Sequence, residues 1–205
     1  MSRIILIETS TSLCSTALVE DGKVVCERIS DEPRAHASKT ALFVSEMLSE
    51  KGLKVSDCDA VAVSKGPGSY TGLRVGVSTA KGLCFGAGIP MISVGTLDTL
   101  VWQALDGNMG GCRYIIPMID ARRMEVYTGI FTPDGKQISP TVAQIIDADS
   151  FKDQLAEGPV LFIGDGADKC KDTLASPNAR FIQCCPKAAS MMHPAIDALE
   201  AKRFE

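Results

Sequence analysis

The sequence predicts an α/β protein made of two duplicated β-β-β-α-β lobes. Three observations predict it. Each half opens with a meander of β-rich runs, helical spacing then alternates with short apolar runs, and the pattern begins again after the glycine-rich stretch 106–111.

In the first half, "RIILIET" (Arg3 to Thr9) is an apolar strand closed by small polar residues. "CSTALVEDGKVVCERIS" follows, with Asp21-Gly22 between two β-rich runs, a hairpin signal. From His36 to Glu50, Ala37, Ala41, Val44 and Leu48 recur at helical spacing, and Gly52 supplies the stop. "DAVAVSKG" is a buried strand that feeds a glycine-rich segment and a helix to about Gly88; "IPMISVG" is the next strand and "TLDTLVWQAL" the next helix.

The second half repeats the order. "RYIIPMIDA", "EVYTGIFT" and "KQISPTVAQI" read as three strands, the last two joined through Pro133-Asp134-Gly135. A helix is expected from Ala148 to Ala156 before the strand "PVLFIG", and another near the end, where Pro194 kinks or restarts it. The expected lobes are 1–108 and 109–205. A meander followed by alternating helix and strand argues for mixed sheets flanked by helices, and a doubly wound sheet fits less well because hairpins open each half. Two such lobes resemble the ASKHA architecture (actin-like, Hsp70-like, ribonuclease H-like), in which a nucleotide is clamped between lobes.

The chain has 205 residues, enough for a substantial core. Its formal net charge of −4, without a basic block, argues against unaided tight nucleic-acid binding. No apolar run approaches the ~18 residues of a membrane span, and "MSRIILIETS" turns polar too soon for a signal peptide, so the expected compartment is the cytoplasm and no membrane is involved. None of the eight cysteines makes a CxxC and most have apolar neighbours, which favours buried reduced thiols over disulfides or zinc.

"SKGPGSYTGLRVGVSTAKGL" (Ser64 to Leu83) raises the question of a phosphate loop. A P-loop needs lysine and a hydroxyl residue after its last glycine, where Leu73 and Arg74 stand, so that reading fails. A dinucleotide fingerprint fails too, because Gly72 falls one residue late. Two features remain: a turn whose residues cap the following helix, with an anion contact at the helix N-terminus left open, and a small-residue stripe at Gly72, Gly76, Ala80 and Cys84. Glycine costs a helix roughly 0.5–1 kcal/mol against alanine, so the repetition implies a close-packing partner. These residues alone leave open whether that partner is another molecule or the protein's own sheet.

"IETSTS", "GPGSYTGLRVGVSTAKGL", "IPMISVGTLDTL" and "MIDARRMEVYTGIF" occur in an order and spacing that resembles the TsaB (YeaZ) family over nearly the whole chain. The resemblance implies an ASKHA fold and a non-catalytic partner of TsaD, the bacterial relative of Kae1. Together they serve the formation of N6-threonylcarbamoyladenosine on tRNAs reading ANN codons. TsaD transfers the group from its adenylate, and the ATPase TsaE joins the complex. The catalytic homologue carries an HxxxH metal pair. Alignment of "IPMISVGTLDTL" puts Thr96 and Leu100 at the two histidine positions, so no metal centre and no catalytic residue of its own are expected here.

The same resemblance places "IETSTS" at the first phosphate hairpin, with Glu8 at the usual aspartate position. "IDARR" falls at the second, with Asp120 as its acid, and "GDGA" at the adenosine-side turn. The candidate nucleotide-binding residues are therefore Thr9, Ser10, Thr11, Asp120, Arg122, Gly164 and Gly166. Strand-end acids and turn glycines kept by fold geometry are the simpler reading, and weak or shared nucleotide binding stays open. The candidate partner interface is Gly68, Ser69, Tyr70, Thr71, Gly72, Arg74, Gly76 and Ala80, together with the helix that begins near His36. The expected partners are TsaD and TsaE, with a homodimer through the same surface when alone and tRNA reached only through the complex. No cofactor is expected to bind tightly, ATP or ADP with Mg being admitted within the complex.

Glu125 and Tyr127 read as surface residues of an alternating strand, Arg122-Arg123 as solvated arginines or a contact for an acidic group, and no Ser/His/Asp set supports a protease. The family continues into a further strand or tail, which places more chain beyond Glu205. The alternative function is an ASKHA-type small-molecule ATPase or kinase acting alone, with turnover dependent on Asp120.

Overall fold

The computed structural model describes residues 2–108 and 111–205, and these divide into two compact units, residues 1–99 with 186–205 and residues 100–185. In the first unit, β1 (Arg3–Glu8) pairs antiparallel with β2 (Cys14–Glu20), which pairs antiparallel with β3 (Lys23–Ser30). The β2–β3 turn places Asp21 (φ 46) and Gly22 (φ 74) in the left-handed region, as a tight hairpin requires. On the other side β1 pairs parallel with β4 (Ala60–Ser64), and β4 pairs parallel with β5 (Met91–Val94), giving the order β3-β2-β1-β4-β5.

Central β1 is buried on both faces, which is why it reads as a continuous apolar run and not an alternating one. Ile5 and Ile7 pack with Val44 and Leu48 of α1 (Ala35–Glu50) and with Ala80 and Cys84 of α2 (Tyr70–Ala87). Ile4 and Leu6 face the other way, onto Ala188, Met191, Ala195 and Ala198.

The last two of those residues lie on α5 (Met192–Glu200), where Pro194 falls in the first helical turn and displaces no intrahelical donor. The closing segment thus completes the core of the first unit, reinforced by the Ala188 amide donating to Ser15 Oγ at 2.9 Å. A division at 108/109 would have left it in the second lobe. Four apolar positions of that segment, Ala188, Met191, Ala195 and Ala198, bury in one cluster with Ile4 and Leu6 of β1. That expected boundary adjoins residues 109 and 110, which lie outside the described residues; the observed division falls within α3 (Thr96–Asp106).

The second unit repeats the topology. β6 (Tyr114–Asp120) pairs antiparallel with β7 (Glu125–Thr128), and β7 with β8 (Val142–Ile145). β6 also pairs parallel with β9 (Val160–Gly164), which pairs parallel with β10 (Ala179–Gln183), so the order is β8-β7-β6-β9-β10. Phe162 stacks on Phe181 at 5.0 Å and tilts against Phe151 at 5.6 Å in a core with Ile116, Met118 and Val126.

Three expected elements are shorter than the sequence suggested, the first being the strand "EVYTGIFT", which keeps only Glu125–Thr128. The strand drawn from Lys136 to Ile145 keeps only Val142–Ile145, with Gln137 in an isolated bridge to Phe131, because Pro140 offers no amide to a ladder. The helix expected over Ala148 to Ala156 becomes α4 (Lys152–Glu157), because the Asp147 carboxylate accepts from the amide of Asp149 at 3.0 Å and holds 147–150 as a turn.

Candidate functional site

The glycine-rich segment connects β4 to α2. Ser69 caps α2, its Oγ accepting from the Gly72 amide at 3.3 Å, and its own amide donates to the Ser10 carbonyl at 2.6 Å. A β-carbon on Gly68, Gly72 or Gly76 would stand less than 3.0 Å from Ser10, the Thr9 carbonyl or Thr9 Oγ1 respectively. Gly72, Gly76, Ala80 and Cys84 are the buried residues of α2. The stripe therefore packs onto the β1–β2 loop and β4 of the same unit. This corrects the expected interface for Gly72, Gly76 and Ala80, while Gly68 is half-buried against Ser10.

Ser69, Tyr70, Thr71 and Arg74 of the expected interface are exposed. The Arg74 guanidinium lies 5.5 Å above the Tyr70 ring, and these residues edge a groove of about 450 Å³ that Ala37 of α1 closes on its far side. Phe85, farther along α2, is 93% exposed, and Leu42 of α1 is also exposed. Sequence reasoning missed both. Phe85 lies in "GLCFG", where apolar neighbours gave it the appearance of core, and only its position one step off the buried stripe distinguishes it.

The β1–β2 loop is sealed. Glu8, Thr9, Ser10 and Thr11 are all buried, and Glu8 Oε2, Thr9 Oγ1, Ser10 Oγ and Thr11 Oγ1 have no hydrogen-bond partner among the described residues. Glu8 Oε1 accepts from the Ser10 amide at 2.7 Å, and the His36 ring contacts the Thr11 carbonyl at 2.9 Å. Burial pushes the Glu8 carboxyl up, against the opposing pull of its bonds to Ser10 and Ser64. With the start of α2 seated on Ser10, the three hydroxyls offer no open surface to a phosphate.

Thr96 and Leu100, one turn apart at the start of α3, are fully buried, and the Thr96 amide donates to the Gly66 carbonyl at 2.9 Å. Neither position presents a metal donor to solvent. Among the described residues, no three His, Cys, Asp or Glu side chains converge as a metal-binding group.

In the second unit, Asp120 ends β6 and is ion-paired to Lys169 through Oδ1, which also accepts from the Arg122 amide at 2.9 Å. Burial works to raise the Asp120 carboxyl, but the Lys169 ammonium and the Arg122 amide outweigh it and hold it below the usual range. Asp165, in the turn after β9, accepts from the Asp120 amide at 2.9 Å; burial pushes its carboxyl up, and the neighbouring Asp120 charge adds to this. Gly164 (φ 135) and Gly166 are pressed against β6, where the Gly166 amide donates to the Met118 carbonyl at 3.0 Å. Arg122 and Arg123 are exposed, with φ of 73 and 48.

Of the expected nucleotide residues, Thr9, Ser10 and Thr11 fall in the first unit; Asp120, Arg122, Gly164 and Gly166 fall in the second. The latter four do come together at the ends of β6 and β9, but Asp120 is already engaged. Neither donor set fits a Mg–nucleotide within its own unit. Lys169 and Asp165 went unread, although Asp165 lies inside the quoted "GDGA" and Lys169 four residues on.

Residues 23–195 match the family model of TsaD, described as tRNA N6-adenosine threonylcarbamoyltransferase. Two curated proteins, both called tRNA threonylcarbamoyladenosine biosynthesis protein TsaB, are similar to the chain. That of Escherichia coli K12 is 39% identical over 64% of this chain and 56% of its own length; that of Bacillus subtilis 168 is 33% identical over 78% and 70%. The aligned stretch thus spans little more than half of the Escherichia coli protein. Among solved structures, YeaZ from Pseudomonas aeruginosa matches with a TM-score of 0.88 and 26% identity over 100% of this chain and 95% of its own. An inorganic polyphosphate/ATP-glucomannokinase from Arthrobacter sp. strain KM shares the fold alone, at a TM-score of 0.53 and 13% identity over 99% of this chain and 100% of its own.

Proposed function

The chain belongs to the TsaB (YeaZ) family, whose named members serve tRNA threonylcarbamoyladenosine biosynthesis, and from that membership we propose that it is a non-catalytic scaffold and activator of TsaD. In this reading TsaD carries the transferase chemistry on tRNAs that read ANN codons, TsaE joins the assembly, and tRNA is reached through the complex. Any ATP or ADP with Mg is held by the assembled complex and not by this chain alone. The same surface pairs two copies of the chain when TsaD is absent.

The observation that carries the proposal is the outward face of α2. Tyr70 is 75% and Phe85 93% exposed, with Arg74 stacked between solvent and the Tyr70 ring. Large aromatics and arginine on a surface otherwise held rigid by a buried helix stripe are the residue types that anchor protein interfaces. Thr96 and Leu100, which the family resemblance aligns with the homologue's metal pair, are fully buried, and this supports the non-catalytic part.

Co-purification tests the proposal. TsaD from the same cytosol is expected to co-purify with the wild-type chain and to be lost with the double variant Tyr70→Ala, Phe85→Ala, provided the variant keeps its thermal transition. Full retention of TsaD by that folded variant would remove α2 as the docking surface. Modification of tRNA from threonylcarbamoyl-adenylate by this chain alone would remove the non-catalytic assignment.

A further inference from the structure

We propose that the Lys169 ammonium is a resident counter-cation: it fills a cradle of carboxylate and carbonyl oxygens in the second unit and closes that cradle to divalent ions. The inference is independent of the partner proposal. The cradle is built from three stretches of chain. Asp120 at the end of β6 supplies Oδ1, Glu125 at the start of β7 supplies its backbone carbonyl, and Lys169 Nζ donates to both, at 2.7 Å to the carbonyl. Asp165 stands next to Asp120, tied to the latter's amide. Carboxylate and carbonyl oxygens together form the donor set a hard cation selects, and the ammonium occupies it as a compact point charge.

The lysine is held in place from the backbone. It sits in a single helical turn, Asp168–Cys170, directly after the β9 turn. On one side the Asp168 amide donates to Gln183 Oε1 at 2.8 Å; on the other, buried Cys170 donates through Sγ to the Gly166 carbonyl at 3.4 Å. With its neighbours pinned, the stem has a fixed origin and the ammonium reaches two acceptors from different strands. The Lys169 side chain is 24% exposed and that of Asp120 48%, so the stem is covered while the pair meets solvent on the carboxylate side. Two neighbouring carboxylates with this one ammonium would be left as a like-charged pair if the ammonium were removed, and a small divalent ion would then meet open oxygen donors.

Mn²⁺ titration of the full chain, followed by electron paramagnetic resonance of the free ion, tests this, with thermal unfolding of each protein as control. The wild type is expected to take up no Mn²⁺ at the site. Lys169→Met, which keeps most of the stem, is expected to gain uptake, with an affinity about tenfold or more above any that the wild type shows, and to unfold at a higher temperature with Mn²⁺ present. Adding Asp120→Asn to Lys169→Met is expected to abolish the gain. Wild-type uptake that Asp120→Asn removes, or a folded Lys169→Met with no gain, overturns the proposal. If Lys169→Met is unfolded in metal-free buffer, refolding by Mn²⁺ supports it and failure to refold overturns it.

Discussion

The backbone of α2 at Gly76 runs so close to Thr9 that a β-carbon there would stand less than 3.0 Å from the Thr9 Oγ1. The hydroxyl belongs to a fully buried, β-branched residue whose χ1 is stiff, so it has nowhere to retreat. This contact within the unit by itself requires glycine at position 76.

Gly76→Ala is therefore expected to destabilise the protein by about 1–3 kcal/mol, the cost of overpacking a tight contact exceeding the helix-propensity gain. Gly82, on the same helix, has nothing within 4 Å of its would-be β-carbon, and Gly82→Ala is expected to stabilise by roughly 0.5–1 kcal/mol. Urea denaturation of the two variants measures the contrast. Gly76→Glu is expected to give an unfolded chain, so its loss of partner binding would say nothing about docking.

Phe85→Ala removes a side chain that buries almost nothing in this unit, and its stability is expected to stay within about 0.5 kcal/mol of wild type. If α2 docks TsaD as proposed, the same change is expected to weaken the complex by more than about 1 kcal/mol, read by calorimetry on the mixture.

Glu8 gives a pH dependence whose sign is fixed by its surroundings. Burial raises its folded pKa above the ordinary value of 4.5, so the native state holds the proton more tightly than the unfolded state. Stability from this group is fully present below pH 4.5 and is lost as pH rises through the folded value. Glu8→Gln keeps an oxygen for the Ser10 amide and cannot ionise. It is expected to flatten the decline, which has a limiting slope of about 1.4 kcal/mol per pH unit, and to be more stable than wild type at pH 8. Thermal melts from pH 4 to 9 compare the two.

Installing histidines at Thr96 and Leu100 tests whether restoring the homologue's residue pair restores a metal centre. Both positions are 0% exposed, so the double substitution is expected to cost at least about 2 kcal/mol and to bind no Zn²⁺ in a dialysis assay.

The fold was legible because its signals are local and repeated. "RIILIET" read as an apolar strand closed by small polar residues, Asp21-Gly22 marked a hairpin, and Gly66 and Gly68 with Ser69 and Thr71 marked the turn that starts a helix. What the periodicity of Gly72, Gly76 and Ala80 could not reveal was direction. A stripe of small residues says that something approaches closely, and the approaching group, the Thr9–Ser10 backbone, lies some sixty positions away in sequence. Lys169 was illegible for the same reason, since its partners Asp120 and Glu125 lie on other strands and share no spacing with it. Phe85 failed in the opposite sense: its apolar neighbours pointed inward, and a residue one step round the helix points out.

The seating of residues 188–198 on Ile4 and Leu6 bears on how the molecule is made. β1 and β2 leave the ribosome well before residues 188–198, so one face of their sheet stays uncovered until that segment follows. Residues 100–185 are synthesised in between, an interval of roughly 4–17 s at about 5–20 residues per second. During that time the second unit has all of its own sequence available first, although it is encoded later. The nascent first unit is the one that a chaperone would meet with an apolar sheet face open.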